Sequence, residues 1–326
     1  MTYARTKNPI FYTDSVNWMK LNGLAKSSIL SLEVGAFNTG YDIYDPFDLQ
    51  PQNLCSFNTG SGTTNQVLAL DFGVNVTMDF VAILNHNLNT AAGSVRVASS
   101  ATPITTAGGG TEATIDFAVL NAAIGGGTVI EPAADGDTLY TFGAKTARYW
   151  SVEFADIATW TATDLTVGAI MVGAKHSLPL SPDINIGHGF DFSGVNISTG
   201  TSGKKHSNPS WIKANNTSAT GTNYIPFRSG VGASQLPGRE YYSLAYSIIA
   251  DTSLLPSDLG APSGSSFSVN VMSKTGWSAC PMVMGVDSTS TTAGDYLFCR
   301  LIGNSFNMTQ SSAQVHNIAF AVEQEF

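Results

Sequence analysis

Short apolar or alternating runs, separated by turn-forming residues, recur along the whole chain. Turn signals such as Asn38-Thr39-Gly40, Asp135-Gly136-Asp137 and Pro237-Gly238 punctuate it at intervals of roughly ten residues, the spacing of short strands in all-β domains. The runs that predict strands are Val67–Phe72, Phe80–Leu84, Ser94–Ala98, Tyr149–Phe154, Leu165–Val172, Tyr241–Ile249, Phe267–Met272, Met282–Val286, Tyr296–Ile302 and His316–Glu323. The pattern predicts an all-β chain built of sandwiches or barrels.

Two segments allow helix. Phe117–Ile124 fits either one short helix or a strand, and the pattern does not decide between them. Asp251–Leu259 places an aspartate before an apolar segment and could begin a short helix, which Pro256 would limit. We therefore expect little helix in the chain.

The clearest candidate domain boundary lies between about residues 173 and 185. Ala174–Asp183 carries two prolines and no strand pattern, so it predicts a linker or a surface strap. We expect an N-terminal domain over residues 1–176 and a second β-sandwich over residues 177–326.

A long polar stretch occupies about residues 200–236 of the second domain. It fits a flexible loop, or an arm that becomes ordered only against a neighbouring subunit. Apolar residues favour the arm, because a solvated linker has little use for them. The candidate intersubunit contacts are Trp211, Ile212, Tyr224, Ile225 and Phe227.

Charge is scarce, which narrows the classes of partner. Charged residues make up 12% of the 326 residues and the net charge is −9. This balance argues against nucleic acid and anionic membranes as partners, since both attract basic surfaces. With 43% hydrophobic and 10% aromatic residues, the chain is too apolar for disorder. The N-terminus shows no secretory signal, and no apolar run is long enough to span a bilayer.

No catalytic motif is apparent. The sequence lacks a Gly-x-Ser-x-Gly elbow, a His-Glu-x-x-His pair, a phosphate-binding loop and a Cys-x-x-Cys pair. Cys55, Cys280 and Cys299 are odd in number and unrelated in spacing, which predicts free thiols. We therefore expect no catalytic site, no cofactor and no essential metal.

One acidic loop leaves a metal alternative open. Asp42, Asp45 and Asp48 lie in a probable loop, and loop carboxylates can hold a calcium ion. Their spacing does not match the EF-hand, and solvated turn aspartates are the other interpretation.

Residues 66–97 resemble the galactose-binding-like jelly roll of discoidin-type domains, in particular the version found in virion proteins of tailed bacteriophages. The matching features are Asp71-Phe72-Gly73 at one strand end and Ile83 followed by His86-Asn87-Leu88 at the next. A second match covers Ala147–Glu153 and Val167–Gly173. The resemblance implies a jelly roll over about residues 15–175. The residues to which it gives scaffold roles are Asp71, Gly73, His86, Asn87, Arg148, Tyr149 and Trp150.

The C-terminal half resembles phage tail and baseplate domains. Arg239–Leu244 is similar to one of their strands, and Tyr296–Leu301 and His316–Phe320 are similar to their closing strands. The resemblance implies a tail-type β-sandwich.

Together these features predict a structural component of a tailed-phage virion, made in the bacterial cytoplasm and placed in the tail tip, baseplate or fibre-attachment region. Its partners would be copies of itself and other tail proteins. The alternative is a carbohydrate-binding module that recognises host glycans, with stacking aromatics supplied by Tyr41, Tyr44, Phe47 and Trp160. A glycan-degrading enzyme is a third hypothesis, because paired carboxylates meet only in the fold.

Overall fold

Antiparallel strands form most of the regular structure. The computed structural model of the chain describes residues 8–34, 37–59, 65–106, 108–112, 115–120, 123–125, 128–156, 160–161, 164–184, 186–191, 196–208, 226–227, 239–258 and 264–325. Within these residues the longest helix has seven residues, and the all-β class predicted from the sequence is confirmed.

The strands are, in chain order, β1 (Ile10–Asp14), β2 (Leu30–Val34), β3 (Cys55–Phe57), β4 (Gln66–His86), β5 (Gly93–Ser100), β6 (Thr111–Glu112), β7 (Ile115–Leu120), β8 (Ala123–Gly125), β9 (Val129–Glu131), β10 (Gly136–Asp156), β11 (Leu165–Val167), β12 (Ala169–Ser177), β13 (Gly187–Asp191), β14 (Asn196–Thr199), β15 (Lys205–Asn208), β16 (Arg239–Ala250), β17 (Met282–Gly285), β18 (Tyr296–Leu301), β19 (Asn307–Ser312) and β20 (Val315–Gln324). The α-helices are α1 (Ser15–Leu21), α2 (Lys26–Ile29), α3 (Leu88–Ala91) and α4 (Asp251–Leu254). Short 3₁₀ turns cover Asp45–Phe47, Gly276–Ser278 and Ala293–Asp295, and Ser268–Ser273 is π-helical.

One sixteen-stranded sheet runs through both halves of the chain. Its main order is β13-β16-β20-β18-β17-β1-β12-β4-β10-β5-β9-β8, with β19 beside β20, β2 beside β4, β6 beside β5 and β7 beside β10. Two small sheets, β3 with β11 and β14 with β15, stand apart from it. The two halves therefore share backbone hydrogen bonds across their junction.

The N-terminal strand β1 makes that junction. It pairs with β12, from Ile10 opposite Ser177 to Asp14 opposite Gly173, and on its other edge with β17. All five of its residues are buried. The close approach of β12 requires a glycine, because a Cβ at Gly173 would lie 2.1 Å from the backbone oxygen of Thr13.

Three apolar clusters pack on this sheet. The N-terminal core lies against the first half and includes Leu70, Ile83, Phe142, Trp150 and Ile170. The C-terminal core lies against the second half and includes Phe11, Leu244, Phe267, Met284 and Phe320. The central core draws on both halves and includes Tyr12, Phe80, Met171, Val283 and Phe298. Alternation along β1 sends Phe11 into the C-terminal core and Tyr12 into the central core, so both faces of this strand are covered.

Several sequence expectations are corrected here. Ala174–Asp183 is not a linker throughout, because β12 continues to Ser177 in register with β1. Phe267–Met272 is not a strand, because its backbone is π-helical from Ser268. The described residues of Phe117–Ile124 take the strand alternative, in β7 up to Leu120 and in β8 from Ala123. The helix expected after Asp251 forms as α4 and ends before Pro256. The domain boundary itself stays a prediction.

All three cysteines, Cys55, Cys280 and Cys299, are free thiols. Among the described helices, none has the length and apolar character that a membrane crossing needs.

Helix α1, which follows β1 directly, also contacts the second half of the chain. Asp14, the last residue of β1, caps the helix by accepting the Asn17 N–H at 2.7 Å. Lys274, from the second half, is 7% exposed, and its Nζ lies 5.5 Å from the centroid of the Trp18 ring in α1. Burial lowers the pKa of Lys274 to about 8, against the opposing attraction of Asp79 and Asp14.

We expect Gly173→Ala to lower the free energy of unfolding by about 1–3 kcal/mol, because the new methyl group must push β12 away from β1. Gly294→Ala is the matched control, since nothing lies within 4 Å of a Cβ at that position. Urea unfolding of both variants checks this. Equal stabilities would contradict the importance of the β1–β12 approach.

We expect Lys274 to make stability rise with pH. Its pKa is lower in the folded protein than in the unfolded chain, so the unfolded chain binds more protons between about pH 8 and pH 10.5 and is disfavoured as these protons are lost. The contribution to the free energy of unfolding grows by at most about 3 kcal/mol over this window. Lys274→Met should remove it, whereas Lys204→Met, at an exposed lysine, should not. Urea unfolding at about pH 7 and about pH 10 gives the comparison.

Candidate functional site

An open cavity of about 290 Å³ lies at the surface of the C-terminal half. Its size is near the lower end of the range for small-molecule sites, ~300–1,000 Å³. The loop around Trp277 forms one side, and the turn between β18 and β19 forms the other. The lining includes the side chains of Met272, Trp277, Ser278, Asn304 and Phe306, and no lining residue is charged.

Trp277 is the most unusual residue of the cavity. It is 61% exposed and its backbone has φ +66°, a left-handed conformation that a bulky residue rarely adopts. Such a conformation costs of order 1–3 kcal/mol and persists only when the surroundings enforce it.

The residues before Trp277 enforce it from one side. Gly276 is also left-handed, with φ +58°, and a Cβ there would lie 2.8 Å from Cδ1 of Leu21 in α1. The Thr275 hydroxyl donates to the backbone oxygen of Val271 at 2.8 Å. The loop is thus tied to the end of the π-helix and pressed against α1.

Arg300 holds the loop from the other side. Its Nη1 donates to the backbone oxygens of Ser278 at 2.9 Å and Ala279 at 2.5 Å. Its Nε and Nη2 both donate to the carboxylate of Glu325, each at 3.1 Å. A bidentate pair fixes the guanidinium plane, so the loop has a defined position on β18.

The Trp277 ring stands at a right angle to Phe306, with the ring centroids 6.2 Å apart and the planes 80° apart. Phe306 in turn stacks on Phe267 at 6.4 Å, and Phe267 contacts Phe11 and Phe320 in the C-terminal core. The exposed ring therefore ends a row of aromatic contacts that begins in the core. We call the right-angled pair of Trp277 and Phe306 the aromatic corner.

Neutral polar groups stand beside the aromatic corner. The Ser305 hydroxyl is engaged, since it donates to the Ile302 backbone oxygen at 2.7 Å and accepts from the Ala321 N–H at 3.0 Å. The Ser278 hydroxyl and the Asn304 side-chain amide make no hydrogen bond within the described residues. The site therefore offers apolar ring faces together with neutral hydrogen-bond donors and acceptors, groups that can contact a neutral polar ligand.

The jelly-roll signature residues lie elsewhere. Arg148 binds Asp71 through two hydrogen bonds of 2.6 and 2.8 Å, and Asp71 also accepts the Gly73 N–H at 2.8 Å, where the backbone turns with φ +69°. The Arg148 hydrogen bonds lower the pKa of Asp71 below its ordinary value. The Arg148 guanidinium lies 4.9 Å from the centroid of the Tyr149 ring. The four residues join β4 to β10 at the surface.

The other signature residues are buried. His86 is fully buried and bonds through Nε2 to the Thr138 hydroxyl at 2.7 Å, while burial lowers its pKa to about 4 and keeps the ring neutral. Asn87 accepts the Thr166 N–H at 2.7 Å. Trp150 donates its ring N–H to the Ala147 backbone oxygen at 3.0 Å. All have structural contacts in this fold.

The aromatic residues expected to stack on sugars are mostly internal. Phe47 and Trp160 are buried and belong to the N-terminal core, against which Tyr44 also packs. Tyr41 alone of the four is strongly exposed, at 41%. An aromatic ring in a loop can stack on a sugar only if no other part of the fold covers it. The sequence does not show which loops are covered.

The three loop aspartates serve turns. Asp42 accepts the Tyr44 N–H, Asp45 accepts the Asp42 N–H, and Asp48 accepts the Gln50 N–H, at 2.7, 2.9 and 2.7 Å. No group of three His, Cys, Asp or Glu side chains in the described part of the chain is arranged to hold a metal ion.

Phe227 does not lie at a surface that a neighbour could reach. It is 1% exposed within its own chain and belongs to the central core, with its ring 5.9 Å from that of Tyr296. Its N–H donates to Asp137 at 2.7 Å, and Asp137 also accepts the Asn85 N–H. The other candidate contacts, Trp211, Ile212, Tyr224 and Ile225, lie outside the described residues.

Trp277 is not among the site residues predicted from the sequence. Its one local signal is a large aromatic residue between Gly276 and Ser278, in a segment of small residues. The contacts that hold its loop come from Leu21 and Arg300, which are distant in sequence.

No protein-family model matches this sequence, and no curated protein matches it either. Among solved structures, chitosan-binding module 1 from a chitosanase/glucanase of Paenibacillus sp. IK-5 is 16% identical, with a TM-score of 0.32 over 44% of this chain and 96% of that one. Module 2 of the same enzyme, in complex with chitotriose, is 11% identical, with a TM-score of 0.32 over 45% and 98%. CBM32-1 from a family 31 glycoside hydrolase of Clostridium perfringens is 9% identical, with a TM-score of 0.31 over 45% and 96%. At such low identities and TM-scores, these similarities assign neither a ligand nor a role to this chain.

Proposed function

We propose that this chain is a non-catalytic carbohydrate-binding protein and that the cavity at the aromatic corner holds a sugar ring. The observation that carries the proposal is the exposed Trp277, held in a strained conformation at a right angle to Phe306. Strain of this kind concentrates at ligand sites, where it prepares the binding geometry in advance.

The chemistry of the cavity fits a sugar. A pyranose ring has an apolar face of C–H groups and a rim of hydroxyls, so it needs an aromatic surface and neutral hydrogen-bonding groups together. Trp277 and Phe306 supply the aromatic surface, and the Ser278 hydroxyl and the Asn304 amide supply the hydrogen-bonding groups.

Charge selects among sugars. No lining residue is charged and the chain has a net charge of −9, so nothing in the cavity compensates an anionic ligand. The ligand class is therefore a neutral sugar.

We expect Trp277→Ala to weaken sugar binding at least ~30-fold, the loss typical of removing a central aromatic contact. A glycan array first selects a neutral sugar, and calorimetry then measures its Kd for the wild type and the variant. Phe190→Ala, which removes an exposed aromatic residue away from the cavity lining, is the control and should bind as the wild type does.

Two results would overturn the proposal. One is that no neutral sugar binds the full chain, and the other is that Trp277→Ala binds the selected sugar with unchanged Kd while remaining folded by circular dichroism.

A structural role in a tailed-phage virion is the second candidate function, with assembly through copies of this chain. Its placement in the tail, and its synthesis in the bacterial cytoplasm, rest on the resemblance of residues 66–97 and of the C-terminal strands to phage proteins. The observation that favours subunit contacts is a pair of exposed isoleucines, Ile184 at 99% and Ile248 at 70%.

These isoleucines lie in segments that are joined by hydrogen bonds. Asp183 accepts the hydroxyl and the N–H of Ser247, at 2.7 and 3.3 Å, and each of these two residues is followed by one of the isoleucines. Ile248 has φ +61° at a break in the β16–β20 register, and its N–H donates to the Asn317 side chain. A β-branched residue in this conformation is strained. We call this pair the isoleucine patch.

We expect the wild-type chain to form an oligomer that Ile184→Asp with Ile248→Asp shifts toward the monomer, because each new carboxylate would have to be buried in the contact. Light scattering after gel filtration measures the mass. Val74→Asp, at another exposed apolar residue, is the control and should leave the mass unchanged. A monomeric wild type would contradict this candidate function.

A further inference from the structure

We propose that the cavity is the end of a longer binding surface along β19, and that the ligand is a linear oligosaccharide of neutral sugars. This inference rests on the proposed sugar site. It concerns how far that site extends.

Strand β19 is exposed on both faces along its whole length. Its partner β20 behaves differently, because every second residue of β20 is buried. The register places Met308 opposite Ile318 and Gln310 opposite His316, so these side chains share the face that is buried in β20. The layer that covers β20 therefore ends before β19 and leaves that face of the strand uncovered.

This uncovered face continues from the aromatic corner. Phe306 immediately precedes β19, and two-residue alternation puts it in line with Met308 and Gln310. From Phe306 to Gln310 the strand extends ~13 Å, which is longer than one sugar ring. We call the surface formed by Met308 and Gln310 the β19 shelf.

The β19 shelf has the same chemistry as the cavity. Met308 offers a polarisable thioether that is 36% exposed. The Gln310 amide makes no hydrogen bond within the described residues, so its donors and acceptor are available to hydroxyls. No residue from Asn304 to Gln314 is charged.

The absence of charge is itself informative. Exposed edge strands usually carry lysine, proline or inward-pointing charges, which prevent pairing with other chains. β19 has none of these, and within the described residues its only partner strand is β20. A hydroxyl-rich ligand would use the neutral groups that the strand displays.

The test is calorimetry with linear oligomers of glucose, mannose and N-acetylglucosamine, each from one to six units long, on the full chain. We expect Kd to fall at least tenfold between the single sugar and the tetramer of the series that binds. Met308→Ala with Gln310→Ala should abolish this gain and leave the Kd of the single sugar unchanged.

The matched control is Asn307→Ala with Thr309→Ala, on the opposite face of the same strand, which should keep the gain. A Kd that does not depend on chain length, or a shelf variant that keeps the full gain, would overturn the inference while the sugar site stands. If no sugar of any length binds, the proposed function is wrong, and the inference that rests on it is wrong as well. If the shelf variant changes the mass in solution and not the Kd of the tetramer, the strand pairs with another chain and the inference is wrong.

Discussion

The pairing of β1 with strands from both halves is the interaction on which the molecule depends. All five of its residues pair with β12 on one edge, the first three also pair with β17 on the other edge, and both faces of the strand are buried. The pairing joins Ile10 to Gly285, near the two ends of the chain. Contacts so distant in sequence carry a large entropic cost, and folding that relies on them is slow.

The geometry of the cavity also depends on this strand. Asp14 ends β1 and caps α1, and α1 presents Leu21 to Gly276. The left-handed backbone of Gly276 and Trp277 is held against that helix. A change in the pairing of β1 would therefore reach the aromatic corner through α1 and the loop of Gly276.

Local pattern predicted much of the fold because strand alternation is a local property. Runs such as Val67–Phe72 and Tyr149–Phe154 are strands in the structure, within the long strands β4 and β10. The alternation of Phe267–Met272 predicted a strand, and that prediction was wrong. The burial of Phe267, Val271 and Met272 also fits a helical turn, and the segment is π-helical from Ser268. The strand Ile10–Asp14 carries too short a pattern to be recognised, and its partners lie far away in sequence.

The candidate site was harder to predict than the fold, because exposure depends on which layer covers a side chain. Trp160 sits in a loop region and is buried, whereas Trp277 is exposed in a loop that contacts Leu21 and Arg300, both remote in sequence. Phe227, in a polar stretch that favours an outward arm, is drawn inward by the Asp137 carboxylate and the central core. In each case the deciding contact joins residues that no local pattern relates.

Rigidity and neutrality together determine what kind of binding the cavity supports. Because the aromatic corner is supported by the C-terminal core, little side-chain entropy remains to be lost when a ligand binds. A cavity of about 290 Å³ without charge would nevertheless offer few contacts to a single sugar, which would limit the affinity of one site. Repeating the site along a polysaccharide, in an oligomer joined at the isoleucine patch, would raise the overall affinity without any new contact, provided the spacing lets several cavities engage at once. The two proposed roles are therefore compatible, because assembly would raise the overall affinity that a single cavity limits.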